Sequence, residues 1–196
     1  MSKTCLPLLA LVGILAVSCS EKNVAGVQPP SAPPQPSDSE IFPLSVGNEW
    51  RFRKHNDSTT IMWKVVGTTT KNDNSYFIVQ CGFSCTFDSM YLRNDEQGRV
   101  WQYIDGKEAV WLDFTRTHNE SYAWQATEEP SEYVVTVQRK QTAETFLQTF
   151  NDCFDFFFDL PGPVDDEYGY TVAPGYGVVI LHGAWIYAKL ESAVIN

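Results

Sequence analysis

The sequence has few of the residues and motifs on which metal and nucleotide chemistry depend. Its 196 residues include three histidines, His55, His118 and His182, which form none of the short spacings typical of zinc sites. There is no Gly-x-Ser-x-Gly turn, and Gly175-x-Gly177 has no third glycine to complete a phosphate loop. We therefore expect no metal, no cofactor and no serine nucleophile.

Positive charge is also scarce. The chain has 14 Lys and Arg against 24 Asp and Glu, which gives a net charge of −10. An acidic surface repels nucleic-acid phosphates and anionic headgroups, and the few cations are scattered along the chain rather than clustered. We therefore expect no nucleic-acid partner.

The acidic residues are more concentrated, although in no established metal-binding pattern. The group is Asp152, Asp155, Asp159, Asp165, Asp166 and Glu167. Such oxygen ligands suit calcium, but their spacing does not match an EF-hand loop. Asp155 and Asp159 alternate with phenylalanines, so we interpret them as the solvated face of a strand.

After Val17 there is no apolar run long enough to cross a bilayer. The run from Leu6 to Val17 would span about 18 Å as a helix, against roughly 30 Å of hydrocarbon. It follows Lys3 and precedes small residues. This arrangement predicts a secretory signal peptide over residues 1–18.

The stretch Leu15-Ala16-Val17-Ser18-Cys19 resembles the lipobox of bacterial lipoprotein signals. The resemblance implies cleavage before Cys19 and acylation of Cys19 with diacylglycerol and palmitate chains, which together anchor a protein stably. Ser20 after the cysteine implies delivery to the outer membrane, on its periplasmic or its outer side. The alternative is ordinary signal cleavage that leaves a soluble product.

Residues 19–40 contain five prolines among Ser, Gln, Ala and Gly. Proline-rich chain favours extended polyproline II geometry, at about 3.1 Å per residue. This composition cannot form a core, and it predicts a tether that follows the lipidated cysteine and holds the domain up to roughly 60 Å from the bilayer.

Cysteine is too scarce for a disulfide framework. Cys5 is removed with the signal peptide and Cys19 is acylated, which leaves Cys81, Cys85 and Cys153. A three-residue turn can place Cys81 opposite Cys85 at disulfide distance, so we predict that pair. The alternative is that both are small buried hydrophobic residues.

From Ile41 the chain shows short aromatic and β-branched runs separated by turn residues, which is typical of strands. The predicted strands are Glu49–Arg53, Thr59–Thr70, Tyr76–Cys81, Cys85–Arg93, Val100–Ile104, Glu108–Phe114, Tyr133–Gln141, Thr145–Phe158, Gly177–Leu181 and Trp185–Val194. Asp105-Gly106 predicts a two-residue hairpin turn. We expect a short helix or loop over Arg116–Ser131 and a loop over Pro161–Glu167.

About ten strands without a helical run predict one all-β domain over residues 41–196. Its architecture should be a single antiparallel meander that is strongly curved or barrel-like.

Three segments of this domain resemble a set of bacterial secreted proteins and lipoproteins that have no assigned activity. They are Phe42-Pro43-Leu44-x-x-Gly47-Asn48-x-Trp50, Thr145-Phe146 followed by Asp152-Cys153, and Ala173-Pro174-Gly175-Tyr176-Gly177-Val178. The resemblance covers the whole domain and implies an envelope location and an all-β fold, with no catalytic residue. Read physically, the glycines and prolines of these segments suit turns and bulges of a scaffold.

The aromatic residues allow three interpretations. Those considered are Trp101, Tyr103, Trp111, Phe114, Tyr122 and Trp124. They could line an apolar cavity, form a sugar-stacking platform or fill the core, and runs that are apolar on both faces favour the core.

We therefore expect a lipid-anchored, non-enzymatic envelope protein that binds a protein or an apolar molecule or contributes to envelope structure. An envelope hydrolase acting on glycans or lipids is the alternative, although the spacing of the acids singles out no catalytic pair.

Overall fold

The computed structural model describes residues 41–82, 88–125, 132–162 and 166–196. These ranges contain twelve strands: β1 Glu49–Lys54, β2 Thr60–Lys71, β3 Asn74–Gln80, β4 Ser89–Asn94, β5 Arg99–Ile104, β6 Lys107–Asp113, β7 Ser121–Trp124, β8 Tyr133–Glu144, β9 Thr149–Asp159, β10 Tyr168–Ala173, β11 Gly177–Gly183 and β12 Tyr187–Val194. In this part of the chain, no helix is long and apolar enough to span a membrane.

The strands form one sheet in the order β6-β5-β4-β3-β2-β1-β12-β11-β10-β9-β8-β7. Every neighbouring pair is antiparallel, and the first and last strands pair with each other. The two edge strands, β6 and β7, approach each other, because the Tyr122 hydroxyl donates to the Trp111 carbonyl over 2.6 Å. The fold is thus a nearly closed, barrel-like antiparallel meander, which confirms the predicted fold class.

Tight turns join the strands where the sequence has Asn, Asp and Gly. Asn72 and Asp73 have φ values of 47° and 64°, and Asp105 and Gly106 have 47° and 85°. Two successive positive φ values are those of a type I′ turn, whose twist matches the twist of the strands that it joins. The predicted hairpin at Asp105-Gly106 is confirmed.

Alternation along the strands places large aromatic side chains inside the meander. Trp63 of β2 contacts the rings of Trp111 and Tyr170, with centroids 6.4 and 5.9 Å apart. Phe114 likewise packs edge-on against Phe156 at 5.1 Å. These contacts join the two halves of the sheet, and each fully buried ring of this kind contributes roughly 1.5–3 kcal/mol through burial.

Two strands were missing from the sequence prediction. β7 occupies Ser121–Trp124, where we expected a helix or loop, and β10 occupies Tyr168–Ala173. β7 has four residues, too few to show a period of two, and β10 is buried on both faces except at Tyr168, so it does not alternate. β4 and β12 also begin at Ser89 and Tyr187, later than predicted.

The hairpin of β8 and β9 extends beyond its neighbours and turns back toward β12. At its tip, the N–H groups of Phe146 and Leu147 donate to the Leu190 carbonyl over 3.0 and 3.1 Å. β10 and β11 lie between β9 and β12 in the sheet, so the hairpin bends around their ends. Beside it, outward-facing side chains of β9, β10 and β11 are buried; we call Cys153, Asp155, Thr171 and Ile180 the buried outer patch.

Candidate functional site

The three segments that carry the family resemblance meet at one end of the meander. The Gly175 N–H donates to the Ile41 carbonyl over 3.1 Å, and the Trp50 indole N–H donates to the Tyr176 carbonyl. The ring of Phe150, on the β9 side of the hairpin, packs 4.8 Å from the Tyr176 ring. These residues hold parts of the scaffold together.

The turn at Gly175 and Gly177 depends on glycine. Their φ values are 75° and 78°, a region that L side chains rarely adopt. A Cβ on Gly177 would also lie 3.4 Å from the Trp50 ring. Asn48 completes this end, because its side chain donates to the Pro43 carbonyl and accepts from the N–H of Asn196 at 2.9 Å. The segments are structural, in agreement with their physical reading.

A cluster centred on Asp155 is the most polar part of the buried outer patch. Asp155 Oδ1 accepts a hydrogen bond from Thr171 Oγ1 at 2.6 Å and lies 2.9 Å from His182 Nε2. Lys140 Nζ approaches the same oxygen at 2.9 Å. The Asp155 side chain is 7% exposed. The cluster is therefore a buried carboxylate with three polar neighbours.

The sheet positions this cluster through its register. Asp155 pairs with Thr171 across β9 and β10, and Gly169 pairs with His182 across β10 and β11. A Cβ on Gly169 would lie 2.3 Å from His182 Cε1 and 2.7 Å from the Phe156 carbonyl. Gly169 thus provides the space in which the imidazole lies against the sheet.

The environment keeps Asp155 ionised. Burial alone would raise the pKa of Asp155, but the hydrogen bond and charge of His182, with Thr171 and Lys140, lower it to about 2. A carboxylate with that pKa is a poor general acid and a weak base.

The geometry also differs from that of a hydrolytic triad. In a triad the hydroxyl donates to the imidazole, whereas Thr171 donates directly to Asp155 and is fully buried. The cluster therefore does not assemble an activated nucleophile.

The interpretation of Asp155 as part of a solvated face was wrong. Asp159 is exposed, but Asp155 is buried beside the fully buried Cys153. Cys153 and Phe157 occupy outward positions of β9 in alternation with the core phenylalanines. Apolar residues at those outward positions are the sequence signal that would have predicted a covered outer side.

The remaining candidate residues do not converge in the described ranges. His55 packs against Tyr187, His118 accepts from the Arg139 N–H, and His182 lies at Asp155. No group of three metal-ligating side chains occurs among the described residues. Asp165 lies outside them.

The cysteine predictions are tested only in part. Cys81 is disulfide-bonded, but Cys85 lies outside the described residues, so their pairing stays a prediction. Cys19 also lies outside the described residues. Cys153 is a free, buried thiol, and burial raises its pKa to about 11. A thiol that is protonated at neutral pH is a poor nucleophile.

The aromatic residues divide between the two sides of the sheet. Trp111, Phe114 and Trp124 are buried inside, as the core interpretation predicts, and Tyr122 is half-buried. Trp101 and Tyr103 instead lie on the outer side, half-buried. Arg93 and Arg99 lie 5.0 and 5.1 Å from the Trp101 ring. These guanidinium groups would compete with any sugar that stacked on the Trp101 ring.

A different outer region is exposed. It covers the outward side of three adjacent strands and the turn before β12. We call it the open face; its residues are Glu49, Arg51, Arg53, Met62, Lys64, Val66, Trp185, Tyr187, Lys189, Glu191 and Val194. Trp185 is 85% exposed and Met62 47%.

Most exposed apolar residues of the described chain belong to this region. Of its eight exposed large hydrophobic residues, five are on the open face: Met62, Val66, Trp185, Tyr187 and Val194. Phe146 and Val46 adjoin it, because the Phe146 ring stacks on Arg53 at 3.7 Å and Val46 precedes Gly47, which bonds to Val65 of β2. Val134, on β8, lies elsewhere. Large apolar patches of this kind mark interaction surfaces.

The open face also gathers cations that are scattered in the sequence. Arg51, Arg53, Lys64 and Lys189 are four of the twelve Lys and Arg in residues 41–196. Of the 21 Asp and Glu in the same range, Glu49 and Glu191 lie on the face, and Glu191 pairs with Arg53 at 3.5 Å. Glu49 pairs with Arg51 and Lys64 at 3.2 and 3.3 Å. The sequence analysis did not predict this cluster. Alternation along β1 and β2 indicates that each strand has one solvent-exposed side, but it does not indicate which strands are neighbours in the sheet.

A groove adjoins the open face at its Trp185 end. Its volume is about 760 Å³, and its walls include Lys54, Ile61, Met62, Trp185 and Ile186. The open face and this groove together form the candidate binding site.

Comparisons with known proteins show a distant likeness in structure only. No protein family model matches the chain, and no curated protein matches it. A Bacteroides fragilis protein, described as a proposed exported protein with a YmcC-like fold, aligns with a TM-score of 0.48 and 12% identity. The alignment covers 80% of this chain and 99% of that one.

Proposed function

We propose that the chain is a lipid-anchored protein of the cell envelope, acylated at Cys19 and tethered to the outer membrane by residues 19–40. Its β domain acts as a non-catalytic binding module, and its partner contacts the open face. The observation that carries this proposal is the concentration of exposed apolar residues and cations on three adjacent strands.

The contrast with the polar cluster supports a binding role. The groups around Asp155 satisfy one another, and Thr171 cannot be reached by a substrate because it is fully buried. The open face, in contrast, combines Trp, Tyr and Arg, the residues that contribute most at interaction surfaces. The hydrolase alternative has no comparable support among the described residues.

The anchor is tested with Cys19→Ala. The wild-type protein should fractionate with membranes and yield an acylated N-terminal peptide by mass spectrometry, while a correctly cleaved variant should be released. A cleaved Cys19→Ala protein that stayed on the membrane would contradict the acyl anchor.

The binding role is tested separately in intact cells by photo-crosslinking. A photoreactive residue replaces Met62 on the open face or, as the control, the exposed Val134 on β8. We expect Met62 to give specific crosslinked products and Val134 to give none. Equal crosslinking from both positions would refute the open face as the binding surface, whatever the fate of the anchor.

A further inference from the structure

The charge of the domain is segregated between the open face and the rest of the surface. Residues 41–196 contain twelve cations and 21 acids, whereas the open face contains four cations and two acids, Glu49 and Glu191. Arg51, Lys64 and Arg53 remain 49%, 44% and 40% exposed in their side chains. A positive face on an acidic domain turns toward a negatively charged surface, while the remaining surface is repelled from it.

Two aromatic residues of the open face are of the types that are enriched at lipid interfaces. Trp185 and Tyr187 are 85% and 43% exposed and lie at one end of the face. Trp and Tyr are enriched at headgroup depth, because their rings are apolar and their N–H or O–H groups bind water or headgroups. Lys189 lies 5.8 Å from the Tyr187 ring, close enough for both to meet a headgroup together.

We infer that the open face docks on an anionic lipid surface, with Trp185 and Tyr187 at headgroup depth and the four cations against lipid phosphates. This inference rests on the function proposed above and names its partner. Averaged over the whole surface, the negative net charge of the chain would repel anionic headgroups. The structure, however, separates the positive side chains of the open face from most of the negative ones.

The length of the predicted tether is consistent with such docking. A tether of this length, up to roughly 60 Å when extended, permits the domain to lie on the same bilayer.

The test uses the acylated protein in vesicles of phosphatidylcholine, with or without phosphatidylglycerol. An environment-sensitive fluorophore is attached at Met62→Cys or, as the control, at Val134→Cys; within the described residues the free thiol is Cys153, which is buried. A nitroxide at headgroup depth then reports proximity. We expect quenching at position 62 that requires phosphatidylglycerol and falls at high salt, and no quenching at position 134.

Charge variants sharpen the test. Arg51→Gln with Lys64→Gln should weaken docking about tenfold, because each cation near an anionic surface contributes appreciably to binding. Lys107→Gln with Arg116→Gln removes the same charge elsewhere and should leave docking unchanged.

Three results would overturn the lipid assignment: equal quenching at both positions, quenching at position 62 without phosphatidylglycerol, or energy transfer between labelled copies in place of quenching. If quenching is absent but Met62 crosslinks an acidic protein in cells, the lipid assignment fails and the proposed binding role stands. If the protein is not acylated, the same measurement is made with protein added to preformed vesicles.

Discussion

The buried outer patch and the open face lie on the same side of one sheet, yet they have opposite characters. On β9, β10 and β11 the outward side chains are buried and share one carboxylate; on β12, β1 and β2 they are exposed and mixed with cations. The comparison teaches that outward side chains are buried where the long β8–β9 hairpin bends around the ends of β10 and β11.

The largest expected effect is at the centre of the buried outer patch. Asp155→Ala removes the oxygen shared by Thr171, His182 and Lys140 and leaves a buried hydroxyl unpaired, so it should cost roughly 3 kcal/mol in the free energy of unfolding. Urea denaturation measures the change. Asp159→Ala, on an exposed position of the same strand, should stay within about 0.5 kcal/mol. Equal losses of stability in both variants would contradict the stabilising role assigned to the hydrogen bonds of Asp155.

A pair of glycine-to-alanine substitutions compares how tightly the two regions are packed. Gly169→Ala places a methyl group 2.3 Å from His182 and 2.7 Å from the Phe156 carbonyl, so we expect a loss of about 2 kcal/mol. Gly67 of β2 has no atom within 4 Å of an added Cβ, so Gly67→Ala should be neutral or slightly stabilising. Thermal unfolding of both variants measures the contrast. A stable Gly169→Ala protein would mean that the imidazole lies elsewhere.

Acid should weaken the buried outer patch selectively. The pKa of Asp155 is lowered from 3.8 to about 2, so its contribution is complete above pH 4 and is lost as the pH falls through 2. The stability difference between wild type and Asp155→Asn should therefore shrink by roughly 2 kcal/mol across that window. Urea titrations at several pH values provide the measurement. A difference that is independent of pH would contradict the assigned ionisation.

The smallest effect should come from the open face. Met62→Thr and Val66→Thr replace side chains that are 47% and 40% exposed, and each should change the free energy of unfolding by less than about 0.5 kcal/mol. The matched change Val65→Thr, next in sequence but fully buried, should cost well over 1 kcal/mol. A large loss at Met62 would place that residue in the core rather than on a binding surface.

The sequence was sufficient for the fold class because the alternation in segments such as Glu49–Lys54 is local. Turn positions could be predicted from residues such as Asp105 and Gly106, because these residue types readily adopt the positive φ values that the turn requires. β7 and β10 could not be found in this way, since one is too short and the other is buried on both sides.

The candidate site was harder to predict, because it depends on which strands lie together. Arg51, Lys64 and Lys189 are separated by up to 138 positions, and only the pairing of β1 with both β2 and β12 brings them onto one face. The burial of Asp155 likewise depends on distant Thr171 and His182. The open face leaves no periodic signal in the chain, and the only local sign of the burial of Asp155 is its apolar outward neighbours Cys153 and Phe157.

The pairing of β1 with β12 also determines how the domain resists a pull. The gap in the meander lies between β6 and β7, so the strand nearest the tether is bonded on both sides, to β2 and β12. The C-terminal Asn196 is fastened to Asn48 beside it. If the proposed tether transmits force from the membrane, that force acts first on an interior strand with hydrogen bonds on both sides, rather than on a free edge of the sheet.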